Sequence, residues 1–444
     1  MFKSASSIKK TLTDLIHTMS TTACQYVKMP GRDFTRERKL SFEKVITLIL
    51  CMGGGSLTNE LMNHFGCTDD LVSASALVQQ RKKLSPDALA TLFHLFVEQT
   101  DMHTLYMGYR LLAVDGSALQ IPTDSTDEDS FYPGAENKTP YNLLHLNAMY
   151  DLLRHVYIDA IVQKGRIRDE TKALISMVDR ASSEVPAILM ADRGFESYNA
   201  FAHIQEKGWR YLIRVKDDGV NGGITNGLNL PEQDEYDLPI NLLLTRSQTK
   251  DSKQKAQDRN KYKIFYHNQK FDFLPQNTLS SAPAATYEIS FRVVRFKISD
   301  DSYETVITNL DTDKFPPQRL KELYAMRWGI ETSFRQLNHT VGLLCFHSKK
   351  SELICQEIFS RLIIYNFTEL IVSLVNVGRT DRKHKYTVNF STAVHICRLF
   401  LRDNSAVANP ITVLKKFVSP LRKGRSYPRI QTSKSFASYS YRMA

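Results

Sequence analysis

Hydrophobic positions recur at helical spacing over residues 1–105 and again over 346–444. Glycine stops and Ser or Asp caps divide both stretches into separate helices. The predicted helices begin after Ser41, cover 57–65 and 74–84, begin after Asp87, and cover 353–375 and 388–401. Two helical regions therefore flank a middle part with a different pattern.

The middle of the chain alternates strand and helix patterns. The predicted order is strand 111–114, strands 142–150 and 155–163 as a hairpin, helix 168–181, strand 187–191, helix 197–206 and strand 211–215. This order predicts an α/β layer with a mixed sheet. Residues 217–313 then combine polar, turn-rich stretches with further strands, at 262–266, 287–298 and 303–310, and predict a β-rich insertion.

One amphipathic helix is predicted over residues 318–338, after the start signal Pro316–Pro317. At roughly 100° per residue, Tyr324, Arg327 and Glu331 lie beside its apolar stripe. An arginine and a glutamate one turn apart are usually a surface pair worth a few tenths of a kcal/mol, about 0.2–0.5. Such a pair does not by itself indicate a functional site.

The charge balance points to a polyanionic partner. The 444 residues carry a net charge of +11, which favours nucleic acid over an anionic membrane. Arg81, Lys82 and Lys83 form a basic edge on a predicted helix, so region 1–105 is either a DNA-docking bundle or a plain packing module. Beyond Asp403 the tail carries eight basic residues and no acidic one, and either follows phosphates or only aids solubility.

Several classes are disfavoured. No run of about 18 apolar residues predicts a membrane span, and no signal peptide is recognisable, so we expect a cytoplasmic protein. The six cysteines lack ligand spacing and are expected to be reduced thiols. His339 and His347 flank Cys345 without a matching second half, which disfavours zinc.

Two aspartates stand where a buried strand meets a glycine turn: Asp115 before Gly116, and Asp192 before Arg193–Gly194. Either could be a helix cap or a turn former. Together with Glu331 in a basic chain, they predict instead a site for two divalent cations some 3.5 to 4 Å apart, with Mg²⁺ preferred. Such ions activate a water or a 3′-hydroxyl and stabilise the leaving oxygen at phosphorus.

These residues carry a resemblance to a known family. Asp115-Gly-Ser, Asp192-Arg-Gly and Tyr324-x2-Arg327-x3-Glu331 resemble the signature of DDE transposases of the bacterial insertion-sequence type, family four, the subgroup with a Tyr-Arg-Glu-Lys helix. The resemblance implies a ribonuclease H-like catalytic core in 106–216 plus 314–345, interrupted by the β-rich insertion 217–313. It also implies that Asp115, Asp192 and Glu331 bind two Mg²⁺ ions, for which Mn²⁺ would substitute.

By the same resemblance, DNA contacts fall on the helix of Glu331. Tyr324 and Arg327 would hold the phosphates of the element end, and Arg193 is a further candidate. Trp328 is either a platform for an unpaired base or, as its apolar neighbours favour, part of the core. The family's lysine is expected at position 338, where this chain has Asn338, and Arg335 is a candidate substitute.

The sequence thus predicts a transposase that binds double-stranded DNA, both element ends and target, and moves its own element by cut-and-paste as a homodimer. Two rival hypotheses remain: a catalytically inactive DNA-binding repressor or element relic, and a nuclease without strand transfer.

Overall fold

The computed structural model describes most of the chain. The described residues are 4–69, 71–134, 139–217, 222–276, 285–300, 302–377, 386–402, 407–420 and 440–441. Most of the basic tail predicted to follow phosphates lies outside them.

A ten-stranded mixed sheet forms the centre of the molecule. Its strands are β1 (Arg110–Ile121), β2 (Phe131–Tyr132), β3 (Tyr141–Asp151), β4 (Val156–Lys164), β5 (Ala187–Ala191), β6 (Arg210–Arg214), β7 (Tyr236–Thr245), β8 (Tyr262–Ile264), β9 (Thr286–Ser299) and β10 (Ser302–Thr308). The mixed α/β prediction is confirmed, and strand 187–191 is observed with the predicted bounds.

The first strands form the half of the sheet that carries the predicted acids. Their order is β4–β3–β1–β5–β6, with β3 antiparallel to both β4 and β1, and β1, β5 and β6 mutually parallel. Helices α6 (Glu170–Arg180) and α7 (Tyr198–Glu206) make the two crossovers. Parallel strands place their carboxyl ends at one edge, so residues that follow β5 and β6 lie near Asp115 in β1.

The β-rich insertion continues this same sheet. β10 pairs antiparallel with β6, and β9, β7 and β8 follow outward. The sequence pattern missed β7, which contains Pro239, a residue that weakens a strand prediction. It also treated 250–260 as turns, where the structure has the short helix α8 (Lys250–Lys255).

Helices cover both faces of the sheet. The remaining ones are α1 (Ala5–Thr21), α2 (Phe42–Cys51), α3 (Leu57–Phe65), α4 (Ala74–Arg81), α5 (Ala88–Thr100), α9 (Pro317–Met326), α10 (Trp328–Arg335), α11 (Ser351–Ser373), α12 (Phe390–Leu401) and α13 (Pro410–Leu414). Short strands β11 (Cys345–Phe346) and β14 (Ser440–Tyr441) pair with each other, as do β12 (Tyr386–Val388) and β13 (Val418–Pro420). None of the helices in the described ranges is long and apolar enough to cross a membrane.

Local sequence explains where the first helices begin. The side chains of Ser41, Ser56 and Ser73 each accept a backbone N–H three residues on, which satisfies a donor that the helix start leaves unpaired. These caps start α2, α3 and α4 at the predicted places.

The two faces of the sheet bury two separate cores. Ala113 and Ala148 belong to the first, with α1–α5 and α9–α13, whereas Val114 and Met149 belong to the second, with α6 and α7. Side chains alternate between faces along a strand. Asp115, next to Val114, therefore faces the first core, on the side of the Glu331 helix.

Candidate active site

Asp115 and Asp192 lie at neighbouring positions on the edge of the sheet. Val114 is paired with Ala191 in the β1–β5 register, so both aspartates directly follow a matched pair. The Oδ1 atom of Asp115 accepts the N–H of Gly116 at 2.8 Å, and Oδ1 of Asp192 accepts the N–H of Arg193 at 2.7 Å. The prediction that the first strand ends at 114 in a glycine turn was wrong, because β1 continues to Ile121 along β3 and Gly116 lies within it. In both places the N–H of the following residue orients the carboxylate.

The electrostatics of Asp115 reflect a shared acidic site. Burial raises the pKa of its carboxyl to about 6, against the lowering effects of the Gly116 N–H and of Arg327. Glu331 and Asp192 raise that pKa further. The structure therefore brings Asp192 and Glu331 within range of the charge of Asp115.

The helix that carries Glu331 is not the single α-helix predicted for 318–338. α9 and α10 meet at Arg327, where 3.0 and 3.1 Å bonds span three residues instead of four, and residues 336–341 form a π-helical turn. Gly329 explains the close approach here, since a Cβ at that position would stand 2.9 Å from the side chain of Leu152.

An incomplete polar cluster surrounds Glu331. Nη2 of Arg327 donates to Oε1 of Glu331 at 3.0 Å, and the guanidinium also lies 5.4 Å from the ring centre of Tyr324. Nε of Arg327 and the Tyr324 hydroxyl are buried without a hydrogen-bond partner. Burial also raises the pKa of Tyr324. Unsatisfied buried donors cost about 1–3 kcal/mol each, and such sites call for an explanation.

The other predicted contacts differ in exposure. Trp328 is 44% exposed with its ring 5.2 Å from the Arg327 guanidinium, so the expectation of core packing was wrong. Arg193 and Arg335 are exposed. Asn338 is half-buried within the π-helical turn, and its Oδ1 has no hydrogen-bond partner.

Arg214 and Glu304 extend the site, and the sequence patterns did not single them out. Arg214 ends β6, and its Nη1 lies 3.4 Å from Oε1 of Glu304 in β10. The pKa of the Glu304 carboxyl is raised, mainly by burial and further by Asp192. The guanidinium groups of Arg214 and Arg327 lower that pKa only in part. The signal used for both aspartates was an acid between a buried strand and a glycine, and neither Arg214 nor Glu304 has it. A broader signal, any charged residue at the end of a buried strand, would have found Arg214.

The basic edge of α4 is divided by the fold. Arg81 is buried at 3% exposure, and its Nη1 donates to Oε1 of Glu357 at 2.8 Å. Arg81 therefore lies away from any DNA-facing surface, contrary to the expectation. Lys82 is exposed and Lys83 half-buried, beside a groove of about 530 Å³ that Arg32, Arg36 and Arg38 also line.

The donor chemistry of the three acids fits a hard divalent cation, because Mg²⁺ prefers carboxylate oxygens. Asp115 and Asp192 each engage one oxygen with a backbone N–H. Glu331 is paired with Arg327, and within the described ranges no three Asp, Glu, His or Cys side chains stand close enough to enclose an ion as they are.

Comparison with known proteins gives a consistent result. A family model described as the transposase DDE domain matches residues 106–367, more than half of the chain. The chain is 22% identical over 424 residues to the transposase InsG for insertion sequence element IS4 of Escherichia coli (strain K12), covering 89% of this chain and 86% of that protein. A solved piggyBac transposase synaptic complex with hairpin DNA gives a TM-score of 0.45 at 11% identity, over 96% of this chain and 87% of that one.

Proposed function

The chain belongs to the family of transposases with a DDE domain, and we propose that it cuts DNA at the terminal repeats of its own insertion element. The freed 3′-hydroxyl ends would then be joined to target DNA, so that the element moves by cut-and-paste. The observation that carries this proposal is the position of Asp115 and Asp192 on matched neighbouring strands, within electrostatic range of Glu331.

We further infer that the catalytic core is ribonuclease H-like. The support is the strand order β4–β3–β1–β5–β6 with helical crossovers into β5 and β6. We also propose four units: a helical, DNA-binding region 1–105, a catalytic core 106–216 plus 314–345, a β-rich insertion 217–313 and a helical C-terminal region 346–444.

Asp115, Asp192 and Glu331 would hold two Mg²⁺ ions, with Mn²⁺ as a substitute. The ions would supply an activated oxygen nucleophile and stabilise charge on the leaving oxygen. The backbone N–H bonds of Gly116 and Arg193 hold Asp115 and Asp192 ready for this. Glu331 would exchange its pairing with Arg327 for metal, which frees the guanidinium for a phosphate.

The residues around Glu331 would bind the element end. Arg327 and the unpaired Tyr324 hydroxyl supply donors for phosphate, and exposed Arg193 and Arg335 supply charge. Exposed Trp328 could stack on an unpaired base, and Asn338 would make an uncharged contact. Lys82, Lys83 and the groove beside them would bind double-stranded DNA further along the repeat. We also propose a homodimer as the species that holds two ends together.

The test is a cleavage and joining assay with duplexes that carry the terminal repeats flanking the gene, in Mg²⁺ or Mn²⁺. Wild-type protein should cut and join. Asp115→Ala, Asp192→Ala and Glu331→Ala should bind the ends but not cut them. Asp300→Ala, at a fully exposed carboxylate on the β9–β10 turn, is the matched control.

The rival functions give different products. A DNA-binding repressor would shift the duplex in a gel and never cut it, and a nuclease alone would nick it without joining. Cleavage retained by Glu331→Ala would refute the assigned mechanism.

A further inference from the structure

Behind the two aspartates, on the opposite face of the sheet, lies a polar pair that the proposed mechanism does not use. Gly116 alternates with Asp115 and therefore faces the side of α6. In the β1–β3 register, Gly116 is opposite Asn147 and Ala118 is opposite His145, so these two β3 side chains point to the same side. His145 is 4% exposed and lies on this face near Asn147, which is fully buried.

His145 is paired with Glu170, the first residue of α6. Its Nε2 lies 3.0 Å from Oε1 of Glu170, and the imidazole lowers the pKa of that carboxyl. A carboxylate in the first helical turn is also favoured by the helix dipole. The pair thus ties the start of α6 to β3, the strand that pairs with β1 along Asp115.

The same pair reaches the glycine that follows each aspartate in sequence. A Cβ at Gly116 would stand 2.5 Å from Nε2 of His145, so glycine is required there for the imidazole to fit. A Cβ at Gly194 would stand 3.6 Å from Oε2 of Glu170, an ordinary van der Waals contact. His145 therefore packs on β1 directly after Asp115, and Glu170 lies against the turn after Asp192.

These contacts matter because both aspartates take their orientation from the backbone N–H that follows them. Asp115 is bonded to the N–H of Gly116, and Asp192 to the N–H of Arg193, the residue before Gly194. A shift of either backbone segment would rotate the attached carboxylate. Mg²⁺ demands near-ideal octahedral geometry, so such a shift weakens its binding.

We propose that His145 and Glu170 are positioning residues that fix the separation of Asp115 and Asp192, and thereby set the affinity of the site for divalent cations. The proposal rests on the proposed function, since it assumes that the aspartates bind metal. Outer partners of metal ligands typically contribute about 10–100-fold in metal affinity or activity.

The test is a calorimetric titration of the DNA-free full-length protein with Mn²⁺, alongside the Mg²⁺ concentration that gives half-maximal cleavage. Glu170→Gln and His145→Ala should weaken Mn²⁺ binding about 10–100-fold and raise the half-maximal Mg²⁺ concentration in step. Binding to element ends without metal should stay unchanged, because neither residue faces the proposed DNA surface.

Asp179→Asn is the matched control. Asp179 lies in the last turn of the same helix, and its Oδ1 is 2.9 Å from Nδ1 of His203. The substitution removes a carboxylate from a histidine in the same way, at the end of α6 away from the aspartates. It should leave Mn²⁺ affinity unchanged, and thermal melts of all variants confirm that folded proteins are compared.

A double variant tests the contact itself. Gly116→Ala alone should displace the imidazole and weaken Mn²⁺ binding, whereas Gly116→Ala with His145→Ala should bind no more weakly than His145→Ala. Additive losses would show that the imidazole does not support β1 at Gly116, and would overturn the proposal.

Two further outcomes distinguish the positioning role of His145 and Glu170 from the proposed function itself. If Asp192→Ala abolishes Mn²⁺ binding while folded Glu170→Gln and His145→Ala bind like wild type, the positioning role is refuted and the proposed function stands. If the wild-type protein binds no Mn²⁺ and does not cleave, the proposed function fails and this inference fails with it.

Discussion

Two arginine–glutamate pairs in this molecule use the same chemical groups in opposite ways. In the interior, Arg81 of α4 and Glu357 of α11 are 4% and 2% exposed in their side chains. The Arg81 guanidinium donates to Gln356, Glu357 and the carbonyl of Leu353, so each of its nitrogens has a partner. This pair is complete.

At the candidate site, Arg327 and Glu331 form a pair that is left unfinished. The Arg327 side chain is 3% exposed but Glu331 is 30% exposed, and Nε of Arg327 has no partner. Two further acids lie within range. A saturated pair holds helices together, whereas an unsaturated pair beside other acids retains binding capacity for something outside the protein.

The largest expected effect is on DNA cleavage, and it comes from the pair at the candidate site. Glu331→Gln should lower DNA cleavage about 10⁴-fold, since a neutral amide cannot replace a metal-binding carboxylate within a catalytic unit. Its thermal midpoint should barely move, because glutamine can still accept from Arg327. Glu322→Gln, an exposed carboxylate on α9, is the control for rate and midpoint. If Glu331→Gln unfolded the protein instead of lowering the cleavage rate, both pairs would have the same structural role.

The second effect falls on stability. Glu357→Gln should lower the free energy of unfolding by about 3–5 kcal/mol, because it leaves the buried Arg81 charge uncompensated. Urea denaturation measures the change, and the cleavage rate per folded molecule should stay near that of wild type. An unchanged urea midpoint would contradict the structural role given to this pair.

Lowering the pH should remove the stabilisation that the ionised Glu357 carboxylate provides. Burial raises the pKa of Glu357, but Arg81 and His347 outweigh it and hold that pKa at about 2, below the ordinary value of 4.5. A carboxyl whose pKa is lowered on folding stabilises the fold above pH 4.5, and this stabilisation is lost as the pH falls toward 2. The stability gap between wild type and Glu357→Gln should therefore narrow by about 3 kcal/mol over this window. Urea titrations at several pH values test it, and a constant gap would contradict it.

The smallest effect concerns the end of the Glu331 helix. Asn338→Lys should tighten binding to the element end roughly threefold and steepen its salt dependence by about one counterion, if position 338 contacts a phosphate. Fluorescence anisotropy over a series of KCl concentrations measures both. Ser182→Lys, an exposed position just past α6, adds the same charge elsewhere. Equal gains in both variants would assign the effect to net charge alone.

Local patterns in the sequence predicted most of the elements. A serine cap, an apolar stripe and a glycine stop lie within a dozen residues of one another, so α2 and α3 could be placed closely. Short apolar runs in the sequence that end on an acid marked Asp115 and Asp192 for the same reason, although β1 itself continues past Asp115.

Features that depend on distant partners could not be predicted. Arg81 meets Glu357 across 276 residues of sequence, so nothing local distinguishes it from exposed Lys82. The helix break at Arg327 and the π-helical turn around Asn338 leave no periodic signal, and the apolar neighbours of Trp328 in sequence did not reveal that it is exposed. The pair of His145 and Glu170 arises from strand register, which the pattern of a single strand does not contain.

The core shared by the two helical regions also sets when this protein can fold during synthesis. Ile8 and Leu12 of α1 are buried in the same cluster as Leu401 and Leu414, and Lys9 donates to the carbonyl of Phe400 at 2.7 Å. A ribosome adds about 5–20 residues per second. Since α1 also packs against α2 and α5, which emerge early, only the part of its apolar face that meets the C-terminal helices must wait, for about 20–80 s, and is open to chaperones during that interval.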